Sequence, residues 1–195
     1  MKIFNIPRKA IEDLRYFLSQ GYKPTQALTW VGNRYQLSSK QRQLLQRGVC
    51  SLAKAKSRLQ KKQGLWRVQK ACLGIDGHNV IITVESALKN KPLLLADDGF
   101  IRDISGVSSS YRPTSISLKA LNMILKILSF YQPKQVDWFF DAPISYSGEL
   151  AATIRKQLKA FQLKGNAHAV KVPEHFLPTY PLVATSDSVL IDTCA

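Results

Sequence analysis

Acidic side chains are almost absent from the first seventy residues. Glu12 and Asp13 are the only two there, against 16 Lys and Arg, which gives this stretch a net charge of +14. Residues 71–195 carry 12 basic and 11 acidic side chains, so nearly all of the chain's net charge of +15 lies in its first third. This asymmetry indicates a polyanionic partner for the first third, most commonly nucleic acid, or else a well-solvated helical surface.

Cysteine is scarce, and long apolar runs are missing. Cys50, Cys72 and Cys194 are an odd number without C-x-x-C or Cys/His ligand spacing, which argues against a disulfide framework and a zinc site. The N-terminus lacks the apolar core of a signal peptide, and no segment approaches the roughly 18 apolar residues of a membrane span. Together these features predict a cytoplasmic protein with reduced thiols.

Several common chemical motifs are also missing. The sequence contains neither G-x-x-x-x-G-K-[ST] nor G-x-G-x-x-G, the two commonest nucleotide-binding loops. His78, His168 and His175 lack the spacing of a metal triad, and a lone histidine is more often a surface or hydrogen-bonded residue. Cys194 has no base placed beside it, which argues against a nucleophilic role.

Hydrophobic spacing divides the chain into a basic helical region, residues 1–67, and an α/β domain, residues 68–195. In the first region the apolar positions recur at helical spacing, and the third helix is expected to turn Leu44, Leu45 and Leu52 inward. The three expected helix starts carry residues suited to a first turn or a cap: Pro7, Pro24, and Ser38 or Ser39.

The basic region contains the candidate nucleic-acid contacts. The segment AKAKSRLQKKQ is the most basic in the chain. The predicted contact residues are Arg34, Arg42, Arg47, Lys54, Lys56, Arg58, Lys61 and Lys62. Nearby aromatic side chains could stack on unpaired bases or fill the core between helices, and both interpretations stay open: Tyr22, Trp30, Tyr35 and Trp66.

The second region alternates strand and helix patterns. Its predicted order is β-α-β-β-α-β-α-β-β, which indicates helices packed on a mostly parallel sheet. The second and third strands, PLLLADD and FIRDISG, are predicted to form a hairpin followed by a loop at residues 105–110.

Three predicted strands end in aspartate, at Asp76, Asp141 and Asp187. In open α/β sheets ligands bind beyond the carboxyl ends of the strands, so these carboxylates can converge there. Crowded carboxylates repel one another, and Mg²⁺ or Mn²⁺ would offset that repulsion, polarise a phosphate and activate water. Alternatively, each aspartate caps the helix that follows it.

The segments GIDGHNV, WFFDAP with SGEL, and VATSDS resemble the pattern of PIN-like domains, especially the NYN branch of metal-dependent nucleases. The resemblance covers roughly residues 70–195 and implies a three-layer α/β fold. It implies catalytic and metal-binding roles for Asp76, Asp141 and Asp187, with Asn79 beside the first of them. It also implies that the turn at Thr185 and Ser186 positions water or phosphate.

The whole chain, including DLRYFL, VGNRYQL and QLLQRGV, resembles an uncharacterised archaeal and bacterial family that joins a helical region to such a domain. One segment, LLLADDGFIRDISGVSSSYR, does not match a standard PIN element, and the chain ends soon after the last aspartate. Further acidic candidates near turns or helix starts are Asp98, Asp103, Glu149 and Asp192.

These features predict a metal-dependent ribonuclease whose basic helices hold the RNA. Two alternatives remain, a nucleic-acid-binding adaptor with a degenerate PIN-like fold and a protein whose basic helices bind another protein.

Overall fold

The computed structural model describes residues 5–104 and 111–194, so the loop predicted at residues 105–110 lies outside the described residues. The chain forms two compact units, one of residues 1–62 and 93–104 and the other of residues 63–92 and 105–195. The helices are α1 (Arg8–Ser19), α2 (Pro24–Arg34), α3 (Ser39–Gly48), α4 (Leu52–Lys61), α5 (Gly77–Leu88), α6 (Ser115–Tyr131), α7 (Ser147–Ala160) and α8 (Ser188–Thr193). The strands are β1 (Cys72–Asp76), β2 (Leu93–Leu95), β3 (Ile101–Asp103), β4 (Gln135–Asp141), β5 (Gly165–Val170) and β6 (Leu182–Ala184).

The first unit is built on short helices with local start signals. The Ser38 side chain accepts from the Gln41 backbone N–H while the Gln41 side chain accepts from the Ser38 N–H, which is a capping box at the start of α3. The third helix ends at Gly48, and the Ser51 hydroxyl accepts from Lys54 N to begin α4. Because α4 is a separate helix, Leu52 is exposed, and the prediction that it packs inward is wrong.

The β2–β3 hairpin belongs by its contacts to this helical unit. The two strands are antiparallel, with Leu93 opposite Asp103 and Leu95 opposite Ile101, so the predicted hairpin is confirmed. Its turn meets the end of α3, where the Asp97 N–H donates to the carbonyl of Gly48 at 2.8 Å. In sequence, however, residues 93–104 lie within the predicted α/β region, between α5 and α6.

The second unit contains a four-stranded sheet in the order β5-β4-β1-β6, in which every neighbouring pair is parallel. The predicted α/β class and mostly parallel sheet are therefore confirmed. Parallel strands require crossover connections, and α7, between β4 and β5, supplies one of them. The central strand β1 pairs with β4 on one side and β6 on the other.

Side chains of the sheet alternate between two hydrophobic clusters, because successive residues of a strand point to opposite faces. Trp138 and Phe140 of β4 belong to a cluster with buried residues of α5, α6 and α7. Phe139, between them, packs instead with Leu177 and Leu190. Both faces of the sheet are therefore covered, as a parallel sheet requires.

The described residues, 5–104 and 111–194, include no helix that is long and apolar enough to span a membrane.

Candidate functional site at the strand ends

Three aspartates lie at the carboxyl ends of three adjacent strands. Asp76 is the last residue of β1, Asp141 is the last residue of β4, and Asp187 follows β6 by three residues. The strands β4, β1 and β6 are parallel neighbours, so their carboxyl ends share one edge of the sheet. The fold thus brings together residues that are up to 111 positions apart in sequence.

Asp76 is the buried member of this group, with 2 % of its surface exposed. Its Oδ2 accepts hydrogen bonds from Asn79 Nδ2 at 2.8 Å and from Thr185 Oγ1 at 2.7 Å. Burial raises the pKa of Asp76 to about 6, the two hydrogen bonds oppose this rise, and the charges of Asp187 and Asp141 add to it. Among the described residues its side chain accepts no capping hydrogen bond from α5, so helix capping does not explain this carboxylate.

Asp187, by contrast, does cap a helix. Its Oδ1 accepts from the backbone N–H groups of Val189 at 2.8 Å and Leu190 at 3.1 Å, at the start of α8. Its own N–H donates to Thr185 Oγ1 at 3.0 Å, and that hydroxyl in turn donates to Asp76. Thr185 therefore links the ends of β1 and β6 through a continuous hydrogen-bond chain.

Asp141 is one-third exposed and lies beside a buried histidine. Its Oδ2 is 3.5 Å from Nδ1 of His78, whose side chain is 1 % exposed. The imidazole makes edge-to-face contacts with Tyr111 and Phe140, and neither ring nitrogen has a hydrogen-bond partner within residues 5–104 and 111–194. The expectation that lone histidines lie on the surface or are hydrogen-bonded is therefore wrong for His78, and its position two residues after a strand-end aspartate was the available signal.

The donor set at this edge consists of carboxylate oxygens, which suit a hard cation such as Mg²⁺ or Mn²⁺. Within the part of the chain that the structure describes, Asp76 Oδ1 and Asp187 Oδ2 accept no hydrogen bond and remain available as ligands. No three His, Cys, Asp or Glu side chains of the described residues are arranged as a metal-binding group.

The family described as Domain of unknown function (DUF5616) matches residues 65–195, about two thirds of the chain. This chain belongs to the DUF5616 family. A second description, Protein of unknown function (DUF434), matches residues 8–61. An uncharacterised protein of Methanocaldococcus jannaschii is 38% identical over 183 residues, which cover 94% of this chain and 88% of that protein. The predicted membership in a family of unknown function with archaeal relatives is confirmed, and no solved structure matches the chain.

The remaining acidic candidates are scattered. In the DUF5616 segment, Glu149 lies in the first turn of α7 and Asp192 in α8, both exposed, while Ser186 is buried between the two site residues Thr185 and Asp187. Asp98 and Asp103 belong to the helical unit, whereas the strand-end aspartates belong to the other unit.

Two buried acids of the DUF5616 segment were not predicted, and both are held by hydrogen bonds. Asp137 of β4 accepts from Tyr180 Oη at 2.8 Å and from the backbone N–H of Asn166 at 2.8 Å. Glu85 of α5 accepts from Ser117 Oγ at 2.9 Å and pairs with Lys89. Each acid has several partners inside the fold, which indicates a structural role.

Several predicted nucleic-acid contacts are engaged inside the helical unit. Arg58 is buried and its Nη1 donates to Asp98 Oδ2 at 3.0 Å, and Arg47 Nε donates to the carbonyl oxygen of Asp103 at 3.1 Å. Arg42 donates to the Leu37 carbonyl at 3.0 Å and to Asn33 Oδ1 at 3.0 Å, and the second bond joins α3 to the end of α2. The other predicted contacts are exposed, apart from the half-buried Lys61: Arg34, Lys54, Lys56 and Lys62.

The aspartates of the hairpin explain why arginines are engaged in this way. Asp97 pairs with Arg15 through two bonds of 2.9 Å, Asp98 with Arg58 and Arg102, and Asp103 with Arg47. The unit still carries 15 basic and 5 acidic side chains, a net charge of +10. Its positive surface is therefore supplied largely by lysines.

Proposed function

We propose that this protein is a metal-dependent phosphodiesterase that cleaves RNA, with a PIN-like three-layer fold in its second unit. Asp76, Asp141 and Asp187 would hold Mg²⁺ or Mn²⁺. The observation that carries the proposal is the environment of Asp76, a carboxylate buried at the end of the central strand. Its pKa is raised, and it has two acidic neighbours at or just beyond the ends of the adjacent strands.

A purely structural aspartate would not be expected in that environment. A rise in pKa from 3.8 to about 6 means that ionised Asp76 costs the fold about 3 kcal/mol at neutral pH. A divalent cation would offset this cost by compensating the charge of all three carboxylates. When bound, such an ion polarises a phosphate and lowers the pKa of its bound water, which is the chemistry of phosphodiester hydrolysis.

The surrounding side chains suit positioning roles. Asn79 and Thr185 both donate to Oδ2 of Asp76, which orients the carboxylate and leaves Oδ1 available. Thr185 also accepts from the backbone of Asp187, so the positions of these two acids depend on one hydroxyl. Asp76 and Asp187 are thus held by hydrogen bonds that do not depend on an ion.

The helical unit supports RNA as the substrate. Its net charge of +10 and its exposed lysines provide contacts for phosphates without base specificity.

Mn²⁺ titration calorimetry combined with a cleavage assay tests the proposal. The wild type should bind Mn²⁺ and cleave labelled single-stranded RNA, with cleavage lost in EDTA. Asp141→Asn should lose Mn²⁺ binding, whereas Glu174→Gln, which removes one exposed carboxylate of the same domain, should keep it. Heat signals that are the same for both variants, or the same in wild type and buffer, would contradict the metal site.

The salt dependence of RNA affinity tests the proposed RNA binding separately from metal binding and cleavage. If about five phosphates are neutralised, the log-log slope should be roughly −3.5 for single strands and about −4.5 for duplex. Replacing the exposed Lys56 by Gln should reduce the single-strand slope by about 0.7, and Lys171→Gln, an exposed lysine of the second unit, should leave it unchanged. A flat salt response in the wild type would exclude backbone-driven RNA binding.

A second candidate is a nucleic-acid-binding adaptor without turnover. It is favoured by Asp187, which caps α8, and by the absence of a three-residue metal-binding group among the described residues. Salt-dependent RNA binding without a Mn²⁺ heat signal or cleavage would favour this adaptor over the nuclease.

A further inference from the structure

Four aromatic side chains of the helical unit form a cluster, which we call the aromatic group: Tyr16, Phe17, Tyr22 and Trp30. Phe17 is its centre, with ring centroids 5.9 Å from Tyr16, 5.5 Å from Tyr22 and 5.7 Å from Trp30. Tyr22 and Trp30 also touch, at 5.6 Å, and every contact is edge-to-face. Phe17 packs on the apolar core of α1, α2 and α3, so the cluster is anchored to buried residues of the unit.

The outer rings of the aromatic group are exposed. Tyr16 is 62% exposed, Tyr22 45% and Trp30 47%. Single exposed hydrophobic residues are ordinary, but neighbouring ones form the kind of patch that marks a binding surface. The rings are held by their mutual contacts, so little side-chain freedom would be lost when a flat ligand stacks on them.

The electrostatic setting of the aromatic group favours an anionic partner. Residues 14–75 contain no acidic side chain at all. Lys23 directly follows Tyr22, and Arg34 lies one helical turn beyond Trp30 on the same face of α2; both are exposed. The two acids of α1 nearest to Tyr16, Asp13 and Glu12, lie three and four residues before it, and they pair with Arg34 at 3.8 Å and with Arg8. Base–aromatic stacking flanked by basic side chains is how proteins bind unpaired nucleic acid.

We propose that the aromatic group is a stacking platform for the bases of single-stranded RNA, with Lys23 and Arg34 contacting adjoining phosphates. This inference rests on the RNA-binding half of the proposed function and requires neither the metal nor cleavage. It makes unpaired RNA, rather than duplex, the preferred ligand class. Bases in a duplex are stacked on one another and do not expose their faces to the rings.

Fluorescence anisotropy in EDTA, with the full chain, tests the platform. Trp30→Leu and Tyr22→Leu are each expected to weaken binding of a 12-nucleotide oligo(U) about tenfold, and to leave both duplex affinity and the salt slope unchanged. Trp30→Phe retains a stacking face and should keep most of the affinity. Phe130→Ala removes an exposed ring of the second unit and serves as the control, with no expected effect.

The outcomes separate this inference from the nuclease proposal. Equal losses for single-stranded and duplex RNA, or no loss at all, would overturn the platform, as would equal losses for Trp30→Leu and Trp30→Phe. If the surface binds a protein partner instead, none of the substitutions should change the affinity for RNA. Because EDTA removes the metal, a selective loss in Trp30→Leu supports the platform even if the protein cleaves nothing. Circular dichroism of each variant verifies that the helices are intact.

Discussion

Asp76→Asn is expected to abolish metal-dependent RNA cleavage and, in the same variant, to stabilise the folded protein at neutral pH. The two effects have one cause, because a carboxylate kept in a buried and negatively charged environment is unfavourable for folding and useful for binding a cation. Asparagine has nearly the same shape, and its amide oxygen can accept the same bonds from Asn79 and Thr185. The cleavage rate should fall at least a hundredfold, since the proposed ion loses its central ligand.

The stability gain should depend on pH in a defined direction. Burial raises the pKa of Asp76 to about 6 in the folded state, so its favourable neutral form is fully populated below about pH 4 and lost as the pH rises through 6. Asp76→Asn should therefore match the wild type at pH 4 and exceed it by about 3 kcal/mol at pH 8.

Urea unfolding at several pH values, followed by tryptophan fluorescence, to which the buried Trp138 of the second unit contributes, measures this difference. Mn²⁺ should raise the midpoint of the wild type and leave that of the variant unchanged. Glu174→Gln provides the control for loss of one negative charge. If Asp76→Asn is less stable than the wild type at pH 8, Asp76 is a structural hydrogen-bond acceptor and its proposed catalytic role is contradicted.

Asp98→Asn is expected to have the largest effect on stability, a loss of about 3–5 kcal/mol in the first unit. The Asp98 carboxylate is buried and contacts two buried guanidinium groups, Arg58 at 3.0 Å and Arg102 at 2.8 and 2.9 Å. The neutral amide would remove the negative charge that both guanidinium groups contact. Removing one member of a buried ion cluster is costly because the desolvation of the others is no longer offset.

The stability difference between Asp98→Asn and the wild type has the opposite sign to that of Asp76→Asn, because here the variant is the less stable protein at neutral pH. Burial alone would raise the pKa of Asp98, but the hydrogen bond and charge of Arg102, followed by Phe100 N–H and Arg58, outweigh burial and lower it. Its stabilisation is present above about pH 4 and is lost as the pH falls further, so wild type and variant should converge in acid.

Thermal unfolding monitored by helical circular dichroism measures the loss. Glu12→Gln provides the matched control, because Glu12 pairs with Arg8 on the surface of the same unit and should contribute less than about 1 kcal/mol. Similar midpoints for Asp98→Asn and Glu12→Gln would mean that the Arg58–Asp98–Arg102 cluster does not stabilise the unit.

The strand-end aspartates were predictable because a strand in a parallel sheet reads as a short apolar run, and the residue after it marks the end of the strand. The different burial and contacts of the three aspartates were not predictable from the sequence. Asp187 caps α8, Asp76 caps nothing among the described residues, and Asp141 lies beside His78. The three share one sequence pattern and differ in burial and hydrogen bonding, which depend on neighbours that are distant in the chain.

In the basic region, too, the sequence predicts which residue types are present but not their environments in the fold. Counting charges predicts a positive surface, but it does not distinguish a buried arginine from an exposed lysine. Arg58 and Arg47 bind aspartates of the hairpin that lie 40 and 56 residues further along the chain. Likewise, the spacing of Tyr22 and Trp30 is compatible with both core and surface positions, and it is the packing of α1 against α2 that leaves them exposed.

The sequence by itself determined the helix starts, the parallel α/β class, the charge asymmetry and the three strand-end aspartates, because each depends on local periodicity, capping residues or composition. The tertiary structure decided which carboxylate is buried, that the hairpin of residues 93–104 packs with the helical unit, and which basic and aromatic side chains stay exposed. Those properties depend on desolvation and on contacts between residues far apart in the chain, and local sequence patterns do not encode them.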